Sequence, residues 1–155
     1  MKIRVIGIDV SKASISCCVL EELPADPREY FWDCKFWQFQ ANANGLRKLL
    51  ELGPTVAIME PTGVNYSMLW GTHLARAGVP VWLVGHKELR SYRSDILKIE
   101  GKDDHSDSLA LACYWWQYHR DPRRFVQQRT PEIARMRELV LRLGHLARVA
   151  SPIVN

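Results

Sequence analysis

The chain has 155 residues, 47% of them hydrophobic, with six Trp, five Tyr and four Phe, material for one ordinary globular domain with a small appendage. No apolar run is long enough to span a membrane, the start Met1-Lys2-Ile3-Arg4 lacks a signal-peptide pattern, and Cys17, Cys18, Cys34 and Cys113 have neither CxxC spacing nor a disulfide framework, so a cytoplasmic protein is expected. The net charge of +4 is uneven: eight Arg and three acids between His119 and Asn155 give a local +5 and leave −1 for the first 118 residues, a bias that suits an anionic polymer and equally a solvated helix face.

Residues 3–8 read as a buried strand rich in Ile and Val. A turn at Asp9-Val10-Ser11-Lys12 leads to residues 13–20, which partly alternate as an antiparallel strand does. Pro24 and Pro27 mark a loop, and the alternation from Tyr30 to Gln40 predicts a third, long strand. A short helix follows through Leu52, closed by Gly53-Pro54. Residues 55–59 and 79–84 read as buried strands, with a helix over Val64–Ala77 between them and Gly78 as its C-cap. The segment from His86 to Gly101 is mixed and charged, part helix and part loop. Asp104–His119 reads as a helix stopped by Asp121-Pro122.

The order β-β-β-α-β-α-β predicts a ribonuclease H-like mixed five-stranded sheet flanked by helices, an α/β fold. Residues 1–120 form that domain, and 121–155 a basic linker and helix. Thr130-Pro131-Glu132 starts the last helix, with an N-cap and proline at its first position, and Ser151-Pro152 is expected to end it. Its apolar positions Ile133, Met136, Val140, Leu143, Ala147 and Ala150 step by three and four. That heptad character predicts homo-oligomerisation through this helix, although Leu139 and Leu146 widen the stripe and also allow packing back on the domain.

Four acids stand out. Asp9 and Glu60 end apolar strands, where a carboxylate is costly unless solvated, paired or metal-bound. Strands that run parallel share their C-terminal edge, so the two can be neighbours. Asp104 and Asp107, at i and i+3, share a helix face that would meet them if the helix lay across that edge. Such a set suits two Mg²⁺ ions about 3.5–4 Å apart, activating an attacking oxygen and stabilising the leaving one. Taken singly, each acid is also explained as a turn or helix-start residue.

Gly7-Ile8-Asp9-Val10-Ser11-Lys12, Met59-Glu60-Pro61-Thr62-Gly63-Val64 and Lys102-Asp103-Asp104-His105-Ser106-Asp107 together resemble, in order and spacing, the blocks of DEDD-type transposases, those of the insertion-sequence family numbered one hundred and ten. The resemblance spans residues 5 to about 120. It implies a RuvC-like fold, Asp9, Glu60, Asp104 and Asp107 as catalytic, metal-binding residues, two Mg²⁺ ions with Mn²⁺ as a substitute, and cut-and-paste DNA recombination directed by a structured guide RNA. Asp103 stands where the family usually has Thr, so Asp103–Asp107 is a competing i, i+4 pair; Asn65 stands where an aromatic is common. Family members also use a serine from a second domain, and nothing in residues 120–155 resembles that block.

Lys12 reads as a solvated turn lysine or a phosphate contact. Arg120, Arg123, Arg124 and Arg129 are the candidate nucleic-acid contacts of the basic linker. His105 points roughly 100° from Asp104 and is expected to be exposed. Trp115 and Trp116 are base-stacking candidates, with at least one in the core. Two alternatives to the recombinase stand: a nucleic-acid-binding and dimerisation module without catalysis, and a nucleotide-binding domain of the actin-like or sugar-kinase kind.

Overall fold

A computed structural model describes residues 1–62, 66–126 and 131–154. Five strands, β1 (Val5–Val10), β2 (Ser14–Leu20), β3 (Trp37–Gln40), β4 (Val56–Met59) and β5 (Val81–Leu83), form one sheet in the order β3-β2-β1-β4-β5. β1, β2 and β3 pair as an antiparallel meander, while β1–β4 and β4–β5 are parallel. The β-branched residues of β1 suit a pleated, fully covered centre strand.

Helices cover both faces. α2 (Ala43–Glu51) and α3 (Tyr66–Arg76) lie on one, where Leu49, Trp70 and Leu74 pack against Ile6, Ile8, Ala57 and Met59. On the other, α4 (His86–Ser91) and α5 (Asp104–Tyr118) pack against Val5, Cys18, Leu20 and Ile58. Alternate residues of a strand face opposite sides. Val5 and Ile58 therefore fix the parity: Gly7, Asp9 and Glu60 face α5.

Gly7 sets the spacing of that contact. An alanine β-carbon there would stand 2.0 Å from the Ser108 carbonyl oxygen and 2.8 Å from the Ala112 nitrogen. Only hydrogen fits, and the small residues Ser108 and Ala112 complete the close approach of α5 to β1. Between α4 and α5 the chain widens into a π-helical turn (Tyr92–Ile96), with Leu97 N–H donating to Tyr92 O at 3.0 Å. Lys98 then takes a left-handed φ of 56°, a strained conformation for a non-glycine residue.

Two local expectations are corrected. Residues 30–36 are not a strand: α1 (Pro27–Asp33) occupies most of them, and β3 is confined to four residues. Asp26 caps α1, accepting from Glu29 N–H at 3.1 Å, and Pro27 takes its first position, a helix-start signal that outweighs the aromatic alternation. The charged segment after β5 is part helix and part loop as expected: α4 and the π turn, then irregular chain up to α5. The last helix, α6 (Pro131–Val154), runs through Ser151-Pro152; proline removes a single donor from the ladder there, with only two helical residues after it. The Thr130 cap and the expected α3 start before Tyr66 lie outside the described residues. Gly78, at φ 80°, closes α3 as expected.

Candidate active site

The register delivers the acids to one edge. The last β1–β4 pair is Ile8 with Met59, so Asp9 and Glu60 follow side by side. Glu60 is anchored by the turn behind it. Thr62 N–H donates to Ser67 Oγ at 3.0 Å and Ser67 N–H to Thr62 Oγ1 at 2.8 Å, tying the strand exit to the start of α3. α5 brings its first turn to the same edge, carrying the exposed Asp104 and the buried Asp107.

Asp103 has a different task. Its Oδ1 accepts from Ser106 N–H at 2.6 Å, while Ser106 Oγ accepts from Asp103 N–H at 3.1 Å. This reciprocal capping box fixes the start of α5. The carboxylates acting on Asp9 are Asp107, Asp104 and Glu60. Burial first, then the charges of Asp107 and Asp104, hydrogen bonding to Asp104 and the charge of Glu60 together raise the Asp9 carboxyl to about 7. Three separate segments thus place four acids within one another's field.

Two of these acids have cationic or protonatable partners. Arg93, from the π turn, forms a buried ion pair and hydrogen bond with Asp107 through Nη1. Burial raises the Asp107 carboxyl, against the opposing pull of Arg93. His86, just past β5, hydrogen-bonds Glu60 through Nδ1. Among the described residues no three His, Cys, Asp or Glu side chains are gathered into a ready metal cage. The donors nonetheless fit a divalent ion: carboxylate oxygens are what Mg²⁺ and Mn²⁺ take, and a cation relieves the repulsion that lifts Asp9.

Other candidates are distributed. Lys12 is exposed in the turn after β1. Arg120 and Arg123 lie past the end of α5 opposite the acids. Arg123 and Arg124 both pair with Asp121, at 3.0 and 3.6 Å, and Arg124 also covers the Tyr118 ring at 4.2 Å. Arg129 lies outside the described residues. Trp115 is buried, and Trp116 donates to Leu20 O at 3.3 Å, so both belong to the core. His105 is exposed and stacks on Phe36 with centroids 4.4 Å apart, away from the acids.

Sequence reasoning missed the cationic wall. A cavity of about 630 Å³ beside Glu60 and Asp107 is lined by His86, Lys87, Arg90, Arg93 and Lys102. One signal was available: residues just after a parallel strand fall at the strand's C-terminal edge, which puts His86 and Lys87 beside Glu60.

The sheet order, the helix laid over its centre and the acids at its edge define a RuvC-like, ribonuclease H-like domain. The chain is similar to Thermus thermophilus RuvC in complex with a Holliday junction substrate, with a TM-score of 0.52 at 15% identity, covering 80% of this chain and 99% of that one. The fowlpox virus resolvase in complex with Holliday junction DNA gives a TM-score of 0.46 at 10% identity, over 76% of this chain and 99% of that one. No curated protein matches the chain in sequence. The profile of the DEDD transposase family of the IS110 type, described as transposase, matches residues 6–152, and the chain belongs to that family. It is a transposase domain with a RuvC-like fold, and no described helix is long and apolar enough to cross a membrane.

Proposed function

We propose that this domain cleaves and transfers DNA strands during transposition, with Asp9, Glu60, Asp104 and Asp107 holding two divalent cations. The observation that carries the reading is the convergence of the four acids, from β1, β4 and the first turn of α5, on one sheet edge, where burial first and the neighbouring carboxylates next raise the Asp9 carboxyl to about 7. Carboxylates buried side by side in this way cost stability and cluster at functional sites. When bound, the two ions would activate the attacking oxygen and stabilise the leaving one.

The chain's own groups supply the setting. Arg93 opposes the rise that burial imposes on the Asp107 carboxyl, and His86 orients the Glu60 carboxylate through Nδ1. Asp9, raised to about 7, would give up its proton on taking a place among the cation's ligands. Guidance by a structured RNA is carried over from the family resemblance alone. Titration of Mg²⁺ or Mn²⁺ by calorimetry into the wild type and Asp9→Asn tests the assignment: binding by the wild type and loss of at least tenfold in affinity in the variant are expected, and equal binding would remove Asp9 from the site.

A second element of the reading is assembly. The described side chains of α6 are all exposed, among them Met136, Leu139, Val140, Leu143 and Leu146. A stripe of this size is suited to a second helix of the same kind, which supports a homo-oligomer joined through α6.

A further inference from the structure

The charged wall opposite the acids is a feature the catalytic reading does not use. Lys87, Arg90, Arg93 and Lys102 share one cavity of about 630 Å³ with Glu60 and Asp107. Lys87, Arg90 and Lys102 are exposed, and none of them is ion-paired among the described residues. Arg93 is different: it is 8% exposed, and its Nε is a buried donor without a partner among the described residues. A guanidinium offers five N–H groups in a planar fork. Asp107 occupies part of that fork, and the orphaned Nε belongs to a side chain that lines the cavity. Held by Asp107, Arg93 carries its fixed charge to the cavity wall behind the exposed cations.

The cations continue past this cavity. Lys87 also borders a second one, of about 390 Å³, whose wall includes Tyr92, Tyr114, Tyr118 and Arg124. Tyr92 and Tyr114 are buried and form the floor of this cavity. The half-buried Tyr118, with Arg124 over its ring, follows the lysines and arginines, so backbone neutralisation is combined with one aromatic position where a base can stack. The backbone beneath is irregular, with the π turn at Tyr92–Ile96 and the left-handed Lys98. Local widening of this kind is common where a helix must present a functional side chain, and here it presents Arg93.

We infer that Lys102, Arg93, Arg90 and Lys87 form a phosphate track that seats a DNA strand against the four acids, continuing over Tyr118 and Arg124. The inference rests on the catalytic reading for its choice of DNA and deepens it by naming the residues that hold the strand. A strand whose reacting phosphate lies at the acids carries its neighbouring phosphates past the exposed cations Lys87, Arg90 and Lys102, while the buried Arg93 holds Asp107 and adds its charge to the same wall.

The test is binding of a fluorescein-labelled DNA single strand, followed by anisotropy over a salt series in the presence of a chelator. Lys87→Ala, Arg90→Ala and Lys102→Ala alter exposed side chains, so each should fold as the wild type does, a point checked by circular dichroism. Each is expected to weaken binding about three- to tenfold regardless of base sequence, and to flatten the slope of log affinity against log salt by about 0.7. Lys48→Ala, on α2 across the sheet, controls for net charge and should bind like the wild type. Unchanged binding in the three track variants, or an equal loss in Lys48→Ala, overturns the track. Tighter binding of an RNA strand of the same sequence, lost in the same variants, overturns the assignment to DNA. Because no divalent ion is present, a protein that fails to bind metal yet shows the expected pattern retires the catalytic reading and leaves the track standing.

Discussion

Asp9 holds a proton at a pH where an ordinary aspartate has lost it, and that proton has a thermodynamic signature. The folded state binds it up to about pH 7, while the unfolded chain releases it near 3.8. The folded carboxyl is the raised one, so the metal-free protein loses stability as pH climbs from about 4 to 7 and does not regain it above. Asp9→Asn should therefore melt higher than the wild type at pH 8 in a chelator, by about 1–2 kcal/mol once solvent screening is allowed for, or on the order of 3–6 °C; at pH 4 the two should melt together. A lower melting temperature for the variant at pH 8 would show that Asp9 has a favourable partner instead. The Arg93–Asp107 pair behaves oppositely. Arg93→Met leaves a buried carboxyl without its cation and should cost about 3 kcal/mol or more in urea denaturation, most of it recovered in Arg93→Met/Asp107→Asn. Full cost in the double variant would mean that packing, not charge, holds Arg93. Asp9 and Glu60 were legible because an acid ending an apolar strand has few other reasons to be there. The choice between Asp103 and Asp104 was also encoded, in the Asp103-x-x-Ser106 spacing of a capping box. Arg93 and His86 were not legible, because their partners depend on where the π turn and the β5 exit lie in space.

At the scale of elements, the site depends on how closely α5 lies on β1. Gly7→Ala drives a methyl into the Ser108 carbonyl and the Ala112 amide, both backbone atoms that cannot rotate away. The expected outcome is a loss of about 2–3 kcal/mol or more, together with weaker metal binding because Asp104 and Asp107 move off with the helix. Wild-type metal affinity in a destabilised Gly7→Ala would separate the helix position from the site. α6 makes an independent prediction. Leu143→Asp should convert an oligomer to a monomer by light scattering while leaving the melting of residues 1–120 unchanged; a monomeric wild type would contradict assembly through this helix. The strands and long helices could be read from periodicity, since β1, β4 and α5 are largely buried runs of the right length; β5 is shorter than its apolar run, three half-buried residues. The stretch from Tyr30 to Phe36 misled, because aromatic alternation imitates a strand while Asp26-Pro27 had already started a helix.

Across the whole molecule, charge is sorted by position. The acids gather at the C-terminal edge of β1 and β4 and the first turn of α5, and the wall facing them is cationic, with Lys87, Arg90 and Lys102 free of ion pairs among the described residues and Arg93 held by Asp107. Lys87 joins that wall to Arg124 at the far side of the second cavity, so part of the basic linker connects with the site through residues that composition alone did not single out. Family membership removes the support for an actin-like or kinase-type reading, and the exposed α6 keeps assembly as a companion to catalysis rather than its alternative. The central claim is that the four acids form one divalent-metal site, and anomalous diffraction from crystals soaked in Mn²⁺ tests it most directly. The account predicts two peaks about 3.5–4 Å apart, bounded by Asp9, Glu60, Asp104 and Asp107, with Asp103 still capping α5. Mn²⁺ bound elsewhere, or coordinated without Asp9 and Glu60, would contradict it.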